Sequence, residues 1–178
     1  MLLIASVFLG PLVVAAVMYY GGALQPAGRT NHGELLEPII NAAEAVPESV
    51  VAEQGDGRWV LAYVNEGDCD QPCANALYTT RQSRKMLGKE MDRVVRAFLH
   101  GDTAPDTVFL ESEHAGLIAA SDRDLATLLK NKKPAAAEAG GYYLLDPLGN
   151  LVMYFEPDID PADMVEDIKH LLKFSRIG

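Results

Sequence analysis

Cys69 and Cys73 are the only two cysteines in the chain. They stand four positions apart in CDQPC, within the stretch NEGDCDQPCANALYTTRQ. Two sulfurs at this spacing support three kinds of chemistry. They can close a disulfide that staples an exported domain, exchange electrons as a dithiol–disulfide couple, or hold a soft ion such as Cu(I) between thiolates. Copper would want a third ligand. The four histidines, His32, His100, His114 and His170, all lie far from the pair in sequence. His32 is the best placed of them, because a lead-in segment can fold back over a site. Glu138 offers only a hard carboxylate oxygen, which suits Cu(I) poorly.

Pro72 decides how the pair can close. Inside a regular helix, side chains four apart hold their Cβ atoms about 5–6 Å apart, whereas a disulfide wants about 3.5–4.5 Å. Proline belongs in the first helical turn, where its missing N–H costs nothing. A helix is therefore expected from about Cys73 to Leu87, ended by Gly88 at the position that favours glycine. Cys69 then lies in the turn before it, free to approach Cys73. A helix N-terminus lowers a thiol pKa, but Glu66, Asp68 and Asp70 crowd the same turn and oppose that effect. The expectation is a mildly activated pair in which Cys69 attacks and Cys73 resolves. As a static staple the pair closes too short a loop to restrain the unfolded chain much.

The rest of the chain must supply the frame. RWVLAYV, residues 58–64, reads as a buried strand leading into the cysteines. DRVVRAFLH reads as a second strand, because Gly88 stops the helix and Val94–Val95 is β-branched. APDTVFLESEH is a short helix and GLIAA a short strand, and SDRDLATLLK is a helix capped by Ser121. YYLLDPLGNLVMYF is a hairpin turning at DPLGN. The last helix has Asp160 as N-cap and Pro161 as its first residue, with an apolar stripe of Met164, Val165, Ile168, Leu171 and Leu172. Strands alternating with helices imply parallel pairing, and the late hairpin is expected to add an antiparallel edge. This is the order of a thioredoxin-like α/β domain, a mixed sheet flanked by helices.

The first twenty residues, MLLIASVFLGPLVVAAVMYY, contain no charged side chain. As a helix they would reach roughly 30 Å, the thickness of a bilayer core. Tyr19 and Tyr20 stand where an interfacial belt would be. An uncleaved transmembrane helix fits better than a signal peptide, because no basic residues precede the apolar run and Gly21, Gly22 and Ala23 make a poor cleavage site. The division expected is an anchor over 1–20, a tether and lead-in over 21–57, and the thioredoxin-like domain over 58–178. The first basic residue, Arg29, mildly favours a cytoplasmic domain on charge alone. The net charge of −10 and the lack of a basic stripe exclude a nucleic-acid partner. No phosphate-binding glycine loop or Ser/His/Asp order is present, and DIDPAD lacks the spacing of a calcium loop.

WVLAYVNEGDCDQPCANALYTTRQSRKMLGKEMDRVVRAFL followed by YYLLDPLGNLVMYF resembles the Sco/SenC group of membrane-anchored, thioredoxin-like proteins associated with cytochrome c oxidase assembly. The resemblance implies a single-pass protein of the bacterial inner membrane with its C-terminal domain in the periplasm. It implies partnership with a cytochrome c oxidase subunit or its copper-delivery factors. In that family the two cysteines and one histidine bind copper. Cys69 and Cys73 match the cysteines, but the histidine's position, eight residues before Asp146, is Glu138, and no histidine occurs between Ala115 and Asp167. The expected function is therefore thiol–disulfide exchange in oxidase maturation. The alternatives are a Cu(I) metallochaperone with a non-standard third ligand and a binding module whose disulfide is structural.

Overall fold

A computed structural model describes residues 2–20, 31–103 and 105–175. The chain divides into two units, residues 1–30 and 31–178. In the first, Leu2–Tyr20 form helix α1, with Pro11 inside it. Among the described residues no helix is long and apolar enough to cross a membrane. The side chains of Tyr19 and Tyr20, expected to form an aromatic belt, and residues 21–30 of the expected tether and lead-in lie outside what the structure describes.

The second unit is built on one six-stranded mixed sheet. Its strands are β1 (Glu34–Asn41), β2 (Trp59–Asn65), β3 (Val94–His100), β4 (Leu117–Ala120), β5 (Tyr142–Leu145) and β6 (Asn150–Phe155), in the spatial order β1-β6-β5-β2-β3-β4. β2, β3 and β4 are parallel. β5 joins β2 antiparallel, with Tyr63 opposite Tyr142. The continuous apolar run of β2 has its reason here. Trp59, Leu61 and Tyr63 face one core while Val60 and Ala62 face the other, as a strand covered on both faces requires. Helices α4 (Gln71–Met86) and α7 (Pro161–Phe174) cover the first face. Helices α3 (Val50–Gln54) and α6 (Arg123–Lys132) cover the second. Among the described residues, the short helices α2 (Ala42–Ala45) and α5 (Thr107–Glu113) and a 3-10 turn over Gly88–Arg93 complete the set.

Three expectations are corrected. The hairpin is not the edge of the sheet. β6 buries Leu151, Met153, Tyr154 and Phe155, and its outer ladder is closed by β1, which pairs antiparallel from Glu34–Tyr154 to Asn41–Asn150. β1 falls in the stretch expected to be tether and lead-in. Its alternation is broken by Glu37, Pro38 and a register shift between Leu35 and Ile40, devices that protect an exposed edge and also hide it from pattern reading. Helix α6 is capped by Asp122, not Ser121. The Asp122 carboxylate accepts from Leu125 N–H at 2.9 Å and from Val50 N–H at 2.9 Å, so one side chain ties α6 to α3.

Candidate functional site

The carboxyl end of β2 delivers the cysteine loop. Asn65 closes the turn with its side chain, accepting from Gly67 N–H at 3.2 Å and donating to the Asp68 carbonyl at 3.3 Å. Gly101, just after β3, backs this turn. A Cβ there would stand 2.1 Å from the Glu66 carbonyl oxygen, so only glycine lets the two strand ends lie this close. On the other side Glu66 pairs with Lys130 of α6 at 2.5 Å.

Helix α4 begins at Gln71, two residues before the expected start, because Asp70 caps it. The Asp70 carboxylate accepts from Cys73 N–H at 3.3 Å, with Pro72 in the first turn. This is the usual N-cap bond to the third helical residue. An acid three residues before Cys73 and two before a proline is the signal that could have located it. α4 ends at Met86 with Leu87 as its C-cap, and Gly88 follows with φ +63°, as its position predicts, opening the 3-10 turn over Gly88–Arg93.

Cys69 and Cys73 are joined as a disulfide with their Cα atoms 5.0 Å apart. Cys73 is 1% exposed, at the third position of α4, whereas Cys69 lies outside the helix and is only partly buried. Cys73 belongs to the same buried core cluster as Tyr63, Phe98 and Tyr142, and Cys69 packs against that cluster, an aromatic group missed by the sequence reading. Tyr63 lies with its ring centroid 5.8 Å from Phe98 and 5.8 Å from Tyr142. Burial, then the neighbouring Tyr142 and Asp70, push the Tyr63 phenol up to about 12. Burial also raises Tyr142, with a hydrogen bond from Thr79 pulling the other way. Both phenols are therefore neutral at physiological pH in the core cluster that they share with Cys73. Their positions, two residues before the end of β2 and at the start of β5, could have been read as site-facing only once the strand register was known.

The histidines do not gather round the sulfurs. His32 lies between two carboxylates of α7, with Nδ1 3.6 Å from Asp163 and Nε2 3.7 Å from Glu166. His100 ends β3 opposite Asn65 in the register and donates from Nδ1 to the Gly101 carbonyl at 2.7 Å. His114 is buried beside Phe109, and His170 packs on Phe174. Glu138, where the resemblance to the Sco/SenC group implied a histidine, is exposed and is used through its backbone. Its N–H donates to Glu156 and its carbonyl accepts from the Tyr154 hydroxyl. Among the described residues no three His, Cys, Asp or Glu side chains are grouped to hold a metal ion. The donor set here, two sulfurs bonded to each other without a third partner, does not fit a copper centre as it stands.

Residues 59–175 match the family of transmembrane-like, thioredoxin-like C-terminal domains. The chain belongs to this family. No curated protein matches the sequence. Among solved structures, the copper-bound ScoI of Bradyrhizobium japonicum is similar at 21% identity and a TM-score of 0.50, over 65% of this chain and 85% of that one. Copper-bound yeast Sco1 is similar at 18% identity and a TM-score of 0.52, over 67% and 78%. Apo Sco1 of Thermus thermophilus is similar at 14% identity and a TM-score of 0.53, over 83% and 95%. At these identities the likeness establishes the thioredoxin-like fold shared with Sco proteins.

Proposed function

We propose that this protein is a membrane-anchored thioredoxin-like partner in thiol–disulfide exchange, acting through Cys69 and Cys73 in the maturation of cytochrome c oxidase. The observation that carries the reading is the unequal access of the two sulfurs in a closed pair at a helix N-terminus. A thiolate of a reduced dithiol donor attacks Cys69 Sγ. The Cys69–Cys73 bond breaks, and Cys73 leaves as a thiolate at the first turn of α4, where the helix N-terminus stabilises it against the opposing Asp70 charge. The donor's second thiolate then attacks the donor's own sulfur in the mixed disulfide and releases Cys69. The donor ends as a disulfide and the pair as a dithiol. The reduced pair passes the two electrons on by the same steps in reverse, with Cys69 attacking a disulfide of the partner. Such a partner is the oxidised copper-site cysteines of an oxidase subunit or of a copper-delivery factor.

The charge-free residues 1–20 are the proposed anchor in the bacterial inner membrane, with residues 21–30 as tether and the domain in the periplasm. An exchangeable disulfide suits that oxidising side. A second reading, Cu(I) carriage by reduced Cys69 and Cys73, draws on the copper held by the similar ScoI and Sco1 structures, and it needs a third ligand of a kind not present at Glu138. Titrating the fully reduced chain with Cu(I) against a competing chelator separates the two. The exchange reading predicts that the chelator keeps the copper. Tight binding lost in both Cys69→Ser and Cys73→Ser would replace exchange by carriage.

A further inference from the structure

Three buried side-chain nitrogens around the C-terminal end of α5 have no hydrogen-bond partner among the described residues. Arg96, in the middle of β3, is 3% exposed, and His114, the C-cap of α5, is 2% exposed. Arg96 Nη2 donates to the carbonyls of His114 at 3.3 Å and Ala115 at 3.1 Å. Arg81 reaches the same turn from α4, donating through Nη1 to the Glu113 carbonyl and carboxylate. Two guanidiniums and an imidazole thus converge on residues 113–115. Yet Arg96 Nη1, Arg81 Nε and His114 Nδ1 are all buried and have no hydrogen-bond partner among the described residues. Buried polar groups are seldom left in this state, and here three share one neighbourhood.

The charges are unbalanced as well. Arg81 has Glu113 at 2.9 Å, and Arg84 has only the exposed Asp92 at 3.6 Å. Arg96, the most deeply buried of the three, has no carboxylate partner among the described residues. Burial, then the charges of Arg84 and Arg81, push its guanidinium down to about 10, which still leaves it a cation at neutral pH. A buried cation of this kind calls for a counter-charge.

We propose that Arg96, Arg81 and His114 form a binding site for a small inorganic anion of halide size, such as chloride. A single-atom anion accepts from several N–H donors at once and makes no directional demand on them. It neutralises Arg96, and His114 serves it as a neutral donor with its proton on Nδ1. Bound there, it fastens the end of α5 to α4 and β3, and with it Phe109, which packs against the core that carries Cys69 and Cys73.

The test uses the full chain, melted in sodium chloride and in sodium gluconate at matched ionic strength. Above the dissociation constant, each tenfold rise in chloride raises Tm by about 3–5 °C for a chain of this size, and gluconate does not. Crystals soaked in bromide give an anomalous peak within hydrogen-bonding reach of Arg96 Nη1. Arg96→Met removes the chloride dependence. If that variant does not fold, Arg81→Gln weakens the dependence instead. Equal melting in the two salts, a chloride effect unchanged in these variants, or a cluster without bromide overturns the proposal.

Discussion

Cys69 and Cys73 differ in access, and access decides which sulfur a thiolate can reach. With the pair broken by Cys73→Ser, Cys69 in its turn stays open to reagent. With Cys69→Ser, Cys73 remains under the first turn of α4, 1% exposed. Native-state alkylation with iodoacetamide should therefore run at least about tenfold faster in Cys73→Ser than in Cys69→Ser, since reactivity follows exposure as well as thiolate character. Equal rates would remove the assignment of Cys69 as the attacked sulfur. Gly101 makes a second prediction at this scale. Gly101→Ala forces a methyl against the Glu66 carbonyl and should cost about 1–3 kcal/mol, read from urea unfolding. The cysteines and the role of Pro72 were legible in the sequence because they depend on neighbours along the chain. Tyr142 and Gly101 were not, because each meets the β2 end across a strand pairing that separates it from the cysteines in sequence, and Tyr63 was not, because its partners Phe98 and Tyr142 lie across those same pairings.

Elements were legible where their boundary chemistry is local. The cap at Asp160, the φ +63° glycine at Gly88 and the DPLGN turn each rest on a few adjacent residues. β1 was not legible, because it exists through β6 and through α7. The buried Asp167 of α7, 3% exposed, accepts from Gly33 N–H at 2.7 Å and fixes the entry to β1. Asp167→Ala leaves that N–H buried without its acceptor and should cost about 1–3 kcal/mol. The matching readout is hydrogen exchange, in which residues 34–41 should lose protection before β2 and β3 do. The end of α5 carries a pH dependence. Burial first, then the Arg96 and Arg81 charges, hold the His114 imidazole below its usual 6.5, with Glu113 pulling the other way. The unfolded chain therefore takes up a proton that the folded chain refuses. Stability is complete above about pH 6.5 and declines as the pH falls from there toward the lowered folded value. Urea midpoints at pH 7.5 and 5.5 should differ more in the wild type than in His114→Gln, and an identical difference would contradict this account.

Over the whole molecule, the thioredoxin-like order of strands and helices follows from hydrophobic period and turn chemistry, and it survives in the sheet as observed. What a sequence cannot carry is the meeting of distant side chains. His32 is held at α7, His100 turns its Nδ1 to its own loop, and Glu138 is engaged through its backbone, so the search for a third copper ligand ends only with coordinates. The structural-disulfide alternative differs from exchange in one thermodynamic quantity, the reduction potential of the Cys69–Cys73 couple. Equilibrating the full chain in glutathione and dithiothreitol buffers and counting free thiols measures it directly. Exchange predicts a potential inside the range of catalytic dithiols, about −120 to −270 mV. A potential below about −300 mV would mark a structural disulfide and contradict the account.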